Sequence, residues 1–154
     1  MKIDNLNKWL SLFANAGVIA GILFLAIEIR QNTQMMKAQT RDGIADKQLA
    51  FYAFSAGSQD NAEIYTKGTF AFEELEPNSV EFNRYRAIAL ANFRIWENEW
   101  YQYQQGLFEL EEFEPRMNML RNIGSNSGYG QVWELVRMNF APGFREFLDS
   151  ELLN

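Results

Sequence analysis

The stretch WLSLFANAGVIAGILFLAI, residues 9–27, decides how this chain folds. It contains no charged residue, and Ser11 and Asn15 are its only clearly polar side chains. As an α-helix rising about 1.5 Å per residue it would extend roughly 28 Å, close to the bilayer's hydrocarbon thickness of about 30 Å. The sequence therefore predicts a single membrane-spanning helix.

Two other interpretations of this stretch are open. A buried helix of a soluble core is rarely apolar on every face, whereas the ten Leu, Ile, Phe and Val residues here each favour membrane insertion by roughly 0.3–0.6 kcal/mol. A cleaved signal peptide needs small residues directly after its apolar core, but Glu28 and Arg30 follow instead. A membrane span fits the sequence better than either alternative.

Charges outside the span predict its orientation and its partners. Two lysines, Lys2 and Lys8, precede the span, and four cations follow it within about twenty residues: Arg30, Lys37, Arg41 and Lys47. This bias places the C-terminal part in the cytoplasm, and the absence of cysteine fits a reducing compartment. The net charge of -6 argues against nucleic acid as a partner.

The rest of the chain is predicted to be helical, which makes the fold class all-α. We expect an anchor in residues 1–30 and a small helical bundle in residues 31–154, with the first helix continuous across that boundary. Ala38, Ala45, Leu49, Tyr52 and Ala56 recur at helical spacings, and no proline interrupts before Pro77, so one long helix over residues 4–55 is predicted. The later helices are expected at residues 60–66, 78–105, 110–123, 130–139 and 143–152.

Local signals set the ends of these helices. Asp60 is a candidate cap for the second helix, and Gly68 is its expected stop. Asn78, followed three residues later by Glu81, resembles a capping box, and Gly106 is expected to end that helix. One face of this helix carries an aromatic stripe, formed by Phe82, Tyr85, Ala89, Phe93, Trp96, Trp100 and Tyr103. An aromatic content of 15% allows a substantial core.

The composition restricts the possible chemistry. Without histidine or cysteine, the chain cannot form Ser-His-Asp or Cys-His catalytic sites, the common zinc sites, or a carboxylate-histidine di-iron motif. A hard cation held only by carboxylates remains open. No catalytic residue, cofactor or metal ligand is therefore assigned.

Small residues in the span form a candidate contact site. Gly17 and Gly21 are a GxxxG pair, and Ala14 and Ala20 lie beside them. Small residues at this spacing allow helices to approach closely in lipid. The pattern predicts self-association or contact with a partner transmembrane helix, although glycine and alanine are also common in spans that make no such contact.

Two polar groups outside the apolar stretch are further candidates. Glu28 and Asn32, at the inner end of the span, could form a pore or interface ring in a symmetric assembly; the simpler alternative is anchoring in the headgroup layer. In the middle of the aromatic helix, Arg94, Glu97, Asn98 and Tyr101 form a candidate structural polar network, with Glu99 among them. A catalytic general acid in this network is the alternative.

Three sets of motifs carry a resemblance to a known group of proteins. They are Ile29-Arg30-Gln31-Asn32-Thr33 after the span, Phe93-Arg94 with Glu97-Asn98, Tyr101-Gln102-Tyr103 and Gly106-Leu107, and Phe140-Ala141-Pro142 with Phe144 and Phe147. The chain resembles a widespread family of small, uncharacterised bacterial proteins with one N-terminal transmembrane helix and a helical C-terminal domain. It departs from that group at Val132-Trp133, where paired tryptophans are common, and at Leu107-Phe108-Glu109. The resemblance implies an inner-membrane protein with a cytoplasmic domain.

These observations lead to one expected function and two alternatives. We expect a non-enzymatic, membrane-anchored protein that acts through assembly, with lipid and either its own copies or a partner transmembrane helix as its partners. A homo-oligomeric ion channel lined by the first helix is the first alternative. A membrane-proximal enzyme using Glu97 and Arg94 is the second.

Overall fold

The all-α fold expected from the sequence is confirmed. The computed structural model describes residues 2–124 and 128–152, without the side chains of Lys2 and Asp4, and this part of the chain contains no β-strand. Its six helices are α1 Lys2–Ala56, α2 Gln59–Phe70, α3 Val80–Gln104, α4 Leu110–Gly124, α5 Gly128–Val136 and α6 Pro142–Leu152. Two 3₁₀ turns, Phe72–Glu74 and Arg137–Asn139, follow α2 and α5.

The first helix is uninterrupted, as its sequence predicts. It extends over 55 residues, and Gly43 lies within it without breaking it. The chain divides into two compact units between Gln39 and Thr40. This division is defined by contacts within the chain. The predicted boundary between residues 30 and 31 instead marks where the membrane anchor is expected to end, and it stays a prediction.

Residues 40–124 and 128–152 enclose an aromatic core. The stripe expected on α3 is confirmed, because Tyr85, Ala89, Phe93 and Trp96 are buried and the other members pack against the core. Phe93 lies among several rings, with centroid distances of 5.1 to 6.1 Å. Edge-to-face and tilted pairs of this kind add about 0.5–1.5 kcal/mol each to the burial of the rings themselves. This core fixes the positions of the polar side chains described below.

The predicted caps of α2 and α3 are wrong by one or two residues. The cap of α2 is Ser58, whose Oγ accepts a hydrogen bond from the Asn61 amide at 3.2 Å. The cap of α3 is Ser79, whose Oγ accepts from the Phe82 amide at 3.0 Å. Serine satisfies the free amides of a first turn as well as aspartate or asparagine does, so composition alone could not choose between neighbouring candidates.

Of the two glycines predicted to end helices, Gly68 does not do so and Gly106 does. Gly68 does not stop α2, which continues to Phe70. A Cβ at Gly68 would lie only 2.0 Å from Cδ2 of Tyr85, so this glycine permits the close approach of α2 and α3. Gly106 does follow the end of α3 as expected, and its φ of 68° lies in the left-handed region that glycine adopts without strain.

Candidate functional site

The apolar segment of α1 contains no buried residue in the part of the chain that the structure describes. Within α1, an 18-residue window with a mean hydropathy of 2.3 has no buried part. The large apolar side chains of residues 9–27 are each 55 to 69% exposed. Among the described residues there is thus one helix, at the N-terminal end, that is long and apolar enough to cross a membrane.

The small residues of the proposed contact site lie in this exposed segment. Gly17 and Gly21 both have open space where a Cβ would be, with nothing within 4 Å. Ala14 is on the same helical face, three residues before Gly17, and Ala20 flanks it. All four residues are exposed. Their contact with another helix stays a prediction.

The residues proposed as a ring follow the apolar segment on the same helix. Glu28 and Asn32 are exposed and four residues apart, which places them one above the other on one helical face. Next to them, the Thr33 hydroxyl donates to the Ile29 carbonyl at 2.9 Å. The ring itself requires several copies of the chain and stays a prediction.

Arg94 and Glu97 join α3 to the segment that precedes α6. Arg94 Nη1 lies 2.6 Å from Glu97 Oε2, and Arg94 Nη2 donates to the Asn139 carbonyl at 2.8 Å. The guanidinium also lies 4.1 Å from the centre of the Phe140 ring, a cation–π contact. Glu97 Oε1 accepts from the Ala141 amide at 3.0 Å, next to the start of α6. These contacts give the pair a structural role.

The other two members of the proposed network are placed differently. Asn98 is partly buried and Tyr101 is exposed. Within residues 2–124 and 128–152, neither of their side chains hydrogen-bonds to the side chain of Arg94 or Glu97. The structure therefore brings Arg94 and Glu97 together and joins both side chains to the backbone at residues 139 and 141. These backbone partners lie more than 40 residues further along the chain, so the spacing of residues within α3 could not indicate them.

Glu99 is the most deeply buried charged group described. It is 0% exposed. Its Oε1 accepts from Gln48 Nε2 at 2.7 Å, and its Oε2 accepts from Arg116 Nε at 3.0 Å, while the Arg116 side chain is only 12% exposed. Burying a carboxylate costs several kcal/mol unless it is paired and hydrogen-bonded, and this one is both.

The sequence contained a partial signal for Glu99. It lies three residues after Trp96 and therefore on the core side of the aromatic stripe, where a carboxylate is unexpected. Its partners could not be identified in the same way, because Gln48 and Arg116 are 51 and 17 residues away along the chain.

A cleft lies beside this buried cluster. Its volume is about 190 Å³, and its polar lining includes Arg41, Gln48, Glu112 and Arg116. At the rim, Arg41 Nε and Glu112 Oε1 form an ion pair at 2.8 Å. Ile44 and Phe108 contribute an apolar wall. The cleft thus combines two arginines, an amide and an apolar surface.

Two tyrosine hydroxyls lie inside the aromatic core. Desolvation by burial raises the pKa of the Tyr129 and Tyr85 hydroxyls, so both stay protonated at neutral pH. The Tyr129 hydroxyl accepts a hydrogen bond from Asn92 Nδ2 at 3.1 Å inside the core. In the described ranges no group of three or more acidic side chains is arranged to hold a metal ion.

The fold and these sites define an all-α protein with an N-terminal helix capable of crossing a membrane and a helical unit with a buried ion pair. No protein-family model matches the chain, and no curated protein or solved structure is significantly similar to it.

Proposed function

We propose that this protein is a non-enzymatic, membrane-anchored helical protein that acts through assembly. The observation that carries the proposal is the exposed apolar segment of α1, with a mean hydropathy of 2.3 and no buried part. In water its exposed side chains would be an aggregation hazard. In a bilayer the ten Leu, Ile, Phe and Val residues of the segment favour insertion by a total of about 3–6 kcal/mol.

The proposal includes an orientation and a location. Arg30, Lys37 and the further cations after the apolar segment outnumber Lys2 and Lys8 before it, which favours a cytoplasmic C-terminal unit. The resemblance to small bacterial membrane proteins supports the inner membrane. The lack of histidine and cysteine supports a non-enzymatic role, because the most frequent general bases and nucleophiles are missing.

Assembly is proposed to occur through the small residues of α1. Lipid tails are as apolar as leucine, so close packing drives association of helices in a membrane. Gly17 and Gly21 have open space at their Cβ positions and leave a shallow surface between larger side chains. A second copy of the same helix, or a partner transmembrane helix, can approach most closely there.

Replacing both glycines should dissociate the assembly. The experiment measures the molar mass of the full chain in a mild detergent by light scattering, with detergent mass subtracted. We expect a homo-oligomer for the natural chain and a monomer for Gly17→Leu/Gly21→Leu, because two leucine side chains hold the helices apart.

Ala26→Leu is the matched control, since it enlarges a small residue on the opposite helical face. This variant should keep the mass of the natural chain. A double glycine variant with an unchanged oligomeric mass would contradict the proposed contact. A monomeric natural chain would contradict self-assembly and leave only a partner helix.

A further inference from the structure

The cleft beside the buried ion pair has the features of a ligand site. Glu99 is fully buried behind it and does not line it, whereas Arg116 and Gln48 both bond to Glu99 and line the cleft. A carboxylate with no exposed atom cannot receive a ligand, but it fixes the orientation of the groups that bond to it. Arg116 and Gln48 are therefore preorganised donors at the surface of the cleft.

Arg116 retains hydrogen-bonding capacity towards the cleft. Its Nε donates to Glu99, and its Nη1 lies 3.4 Å from Met119 Sδ and 3.5 Å from the Tyr52 hydroxyl. Sulfur is a weak acceptor, and the Tyr52 contact is long. In residues 2–124 and 128–152, Nη2 has no hydrogen-bond acceptor. Arg116 is thus held in place through Nε, while the N–H donors of Nη2 remain available to a ligand.

Arg41 supplies a second guanidinium that can change partners. Its side chain is 73% exposed, and its ion pair with Glu112 lies at the rim. Pairs with one well-exposed partner are weak because water competes for the arginine. A carboxylate entering the cleft can replace Glu112 on Arg41. Each arginine already faces one carboxylate, since Arg116 is paired with the buried Glu99 and Arg41 with Glu112 at the rim. Only Glu112 can be displaced by an entering group, so the cleft favours a ligand with a single carboxylate.

We propose that this cleft binds a small organic monocarboxylate. The planar carboxylate would accept hydrogen bonds from Arg41 and Arg116, whose forked donors match two oxygens in one plane. Its short apolar group would lie against Ile44 and Phe108. A volume of about 190 Å³ is somewhat larger than a cavity of about 150 Å³ that can hold benzene. This space suits an acid of only a few carbon atoms.

Isothermal titration of the full chain in a nonionic detergent tests this site, with butyrate as the probe. We expect saturable binding with one butyrate per chain. Butyramide, which lacks the charge, and inorganic phosphate, which lacks the apolar group, should bind at least about tenfold more weakly. Equal binding of either compound would overturn the assignment to a monocarboxylate, as would the absence of saturable butyrate binding.

Two substitutions at the rim should act in opposite directions. Arg41→Gln should weaken butyrate binding by about 10- to 100-fold, because it removes charged hydrogen bonds to the ligand. Glu112→Gln should tighten binding several-fold, because it removes the competing carboxylate, and a gain of this kind does not arise from misfolding. Arg121→Gln, an exposed ion-paired arginine of α4 outside the cleft, is the control that should bind normally. Unchanged binding in both rim variants would overturn the proposal.

Discussion

Glu99→Ala should lower the free energy of unfolding by about 3–5 kcal/mol, because removing one partner of a buried pair leaves the other charge uncompensated. Arg116 would keep its charge with a side chain that is only 12% exposed. Gln48 would also lose its acceptor. Chemical denaturation of the full chain in mild detergent, followed by tryptophan fluorescence, measures the change.

Two further variants test whether the loss of stability in Glu99→Ala comes from the buried ion pair and not from the removal of any carboxylate. Glu112→Ala removes the carboxylate of the exposed rim pair and should cost less than about 1 kcal/mol. Glu99→Leu/Arg116→Met removes both buried charges and should recover most of the lost stability. A loss below 1 kcal/mol for Glu99→Ala would show that Glu99 is not buried and paired as described.

Trp133→Ala should lower the free energy of unfolding by about 3–5 kcal/mol through the cavity that it leaves. The indole is fully buried. Its ring centroid lies 5.1 Å from those of both Phe93 and Phe140, and its Nε1 donates to Asp149 Oδ1 at 2.7 Å. The substitution therefore removes packing at the centre of the core and a hydrogen bond between α5 and α6.

The same substitution at Trp9 provides the control. Trp9 is 59% exposed within the apolar segment, so Trp9→Ala should leave the unfolding of residues 40–152 unchanged. Trp133→Phe should fall between these results, since it retains most of the ring volume but loses the hydrogen bond to Asp149. Equal unfolding midpoints for Trp133→Ala and the natural chain would contradict the core described for this unit.

Periodicity along the chain was sufficient to predict the helices but not their packing. The spacing of Ala45, Leu49, Tyr52 and Ala56 correctly extends α1 beyond the apolar segment, yet all four side chains are exposed. The face of α1 that packs in residues 40–56 is displaced by one residue and consists of Ile44, Gln48, Phe51 and Ser55. A helix that is apolar on most faces does not reveal which face its neighbours cover.

The polar sites were harder still to predict, because most of their contacts join residues that are far apart in the sequence. The helical spacing of Arg94 from Glu97 and Asn98 indicated that these side chains could meet, because this geometry is local to one helix, and Glu97 is the one that pairs with Arg94. The pairing of Glu99 with Arg116 and the cleft beside it required the fold, since three separate helices supply Gln48, Glu99 and Arg116. The spacing of residues within one helix can be read from the sequence, whereas the residues that meet between helices depend on how the whole core packs.

Extraction of membranes from a bacterium that expresses the full chain tests the central claim, insertion of α1, most directly. The natural chain should remain in the membrane pellet after an alkaline carbonate wash. Ile19→Arg/Leu23→Arg should move to the soluble fraction, since each arginine at mid-span costs about 2.5–3.5 kcal/mol. Leu49→Arg, at a similarly exposed leucine beyond the apolar segment, should stay in the pellet. Release of the natural chain by carbonate, or equal retention of the double arginine variant, would contradict the account.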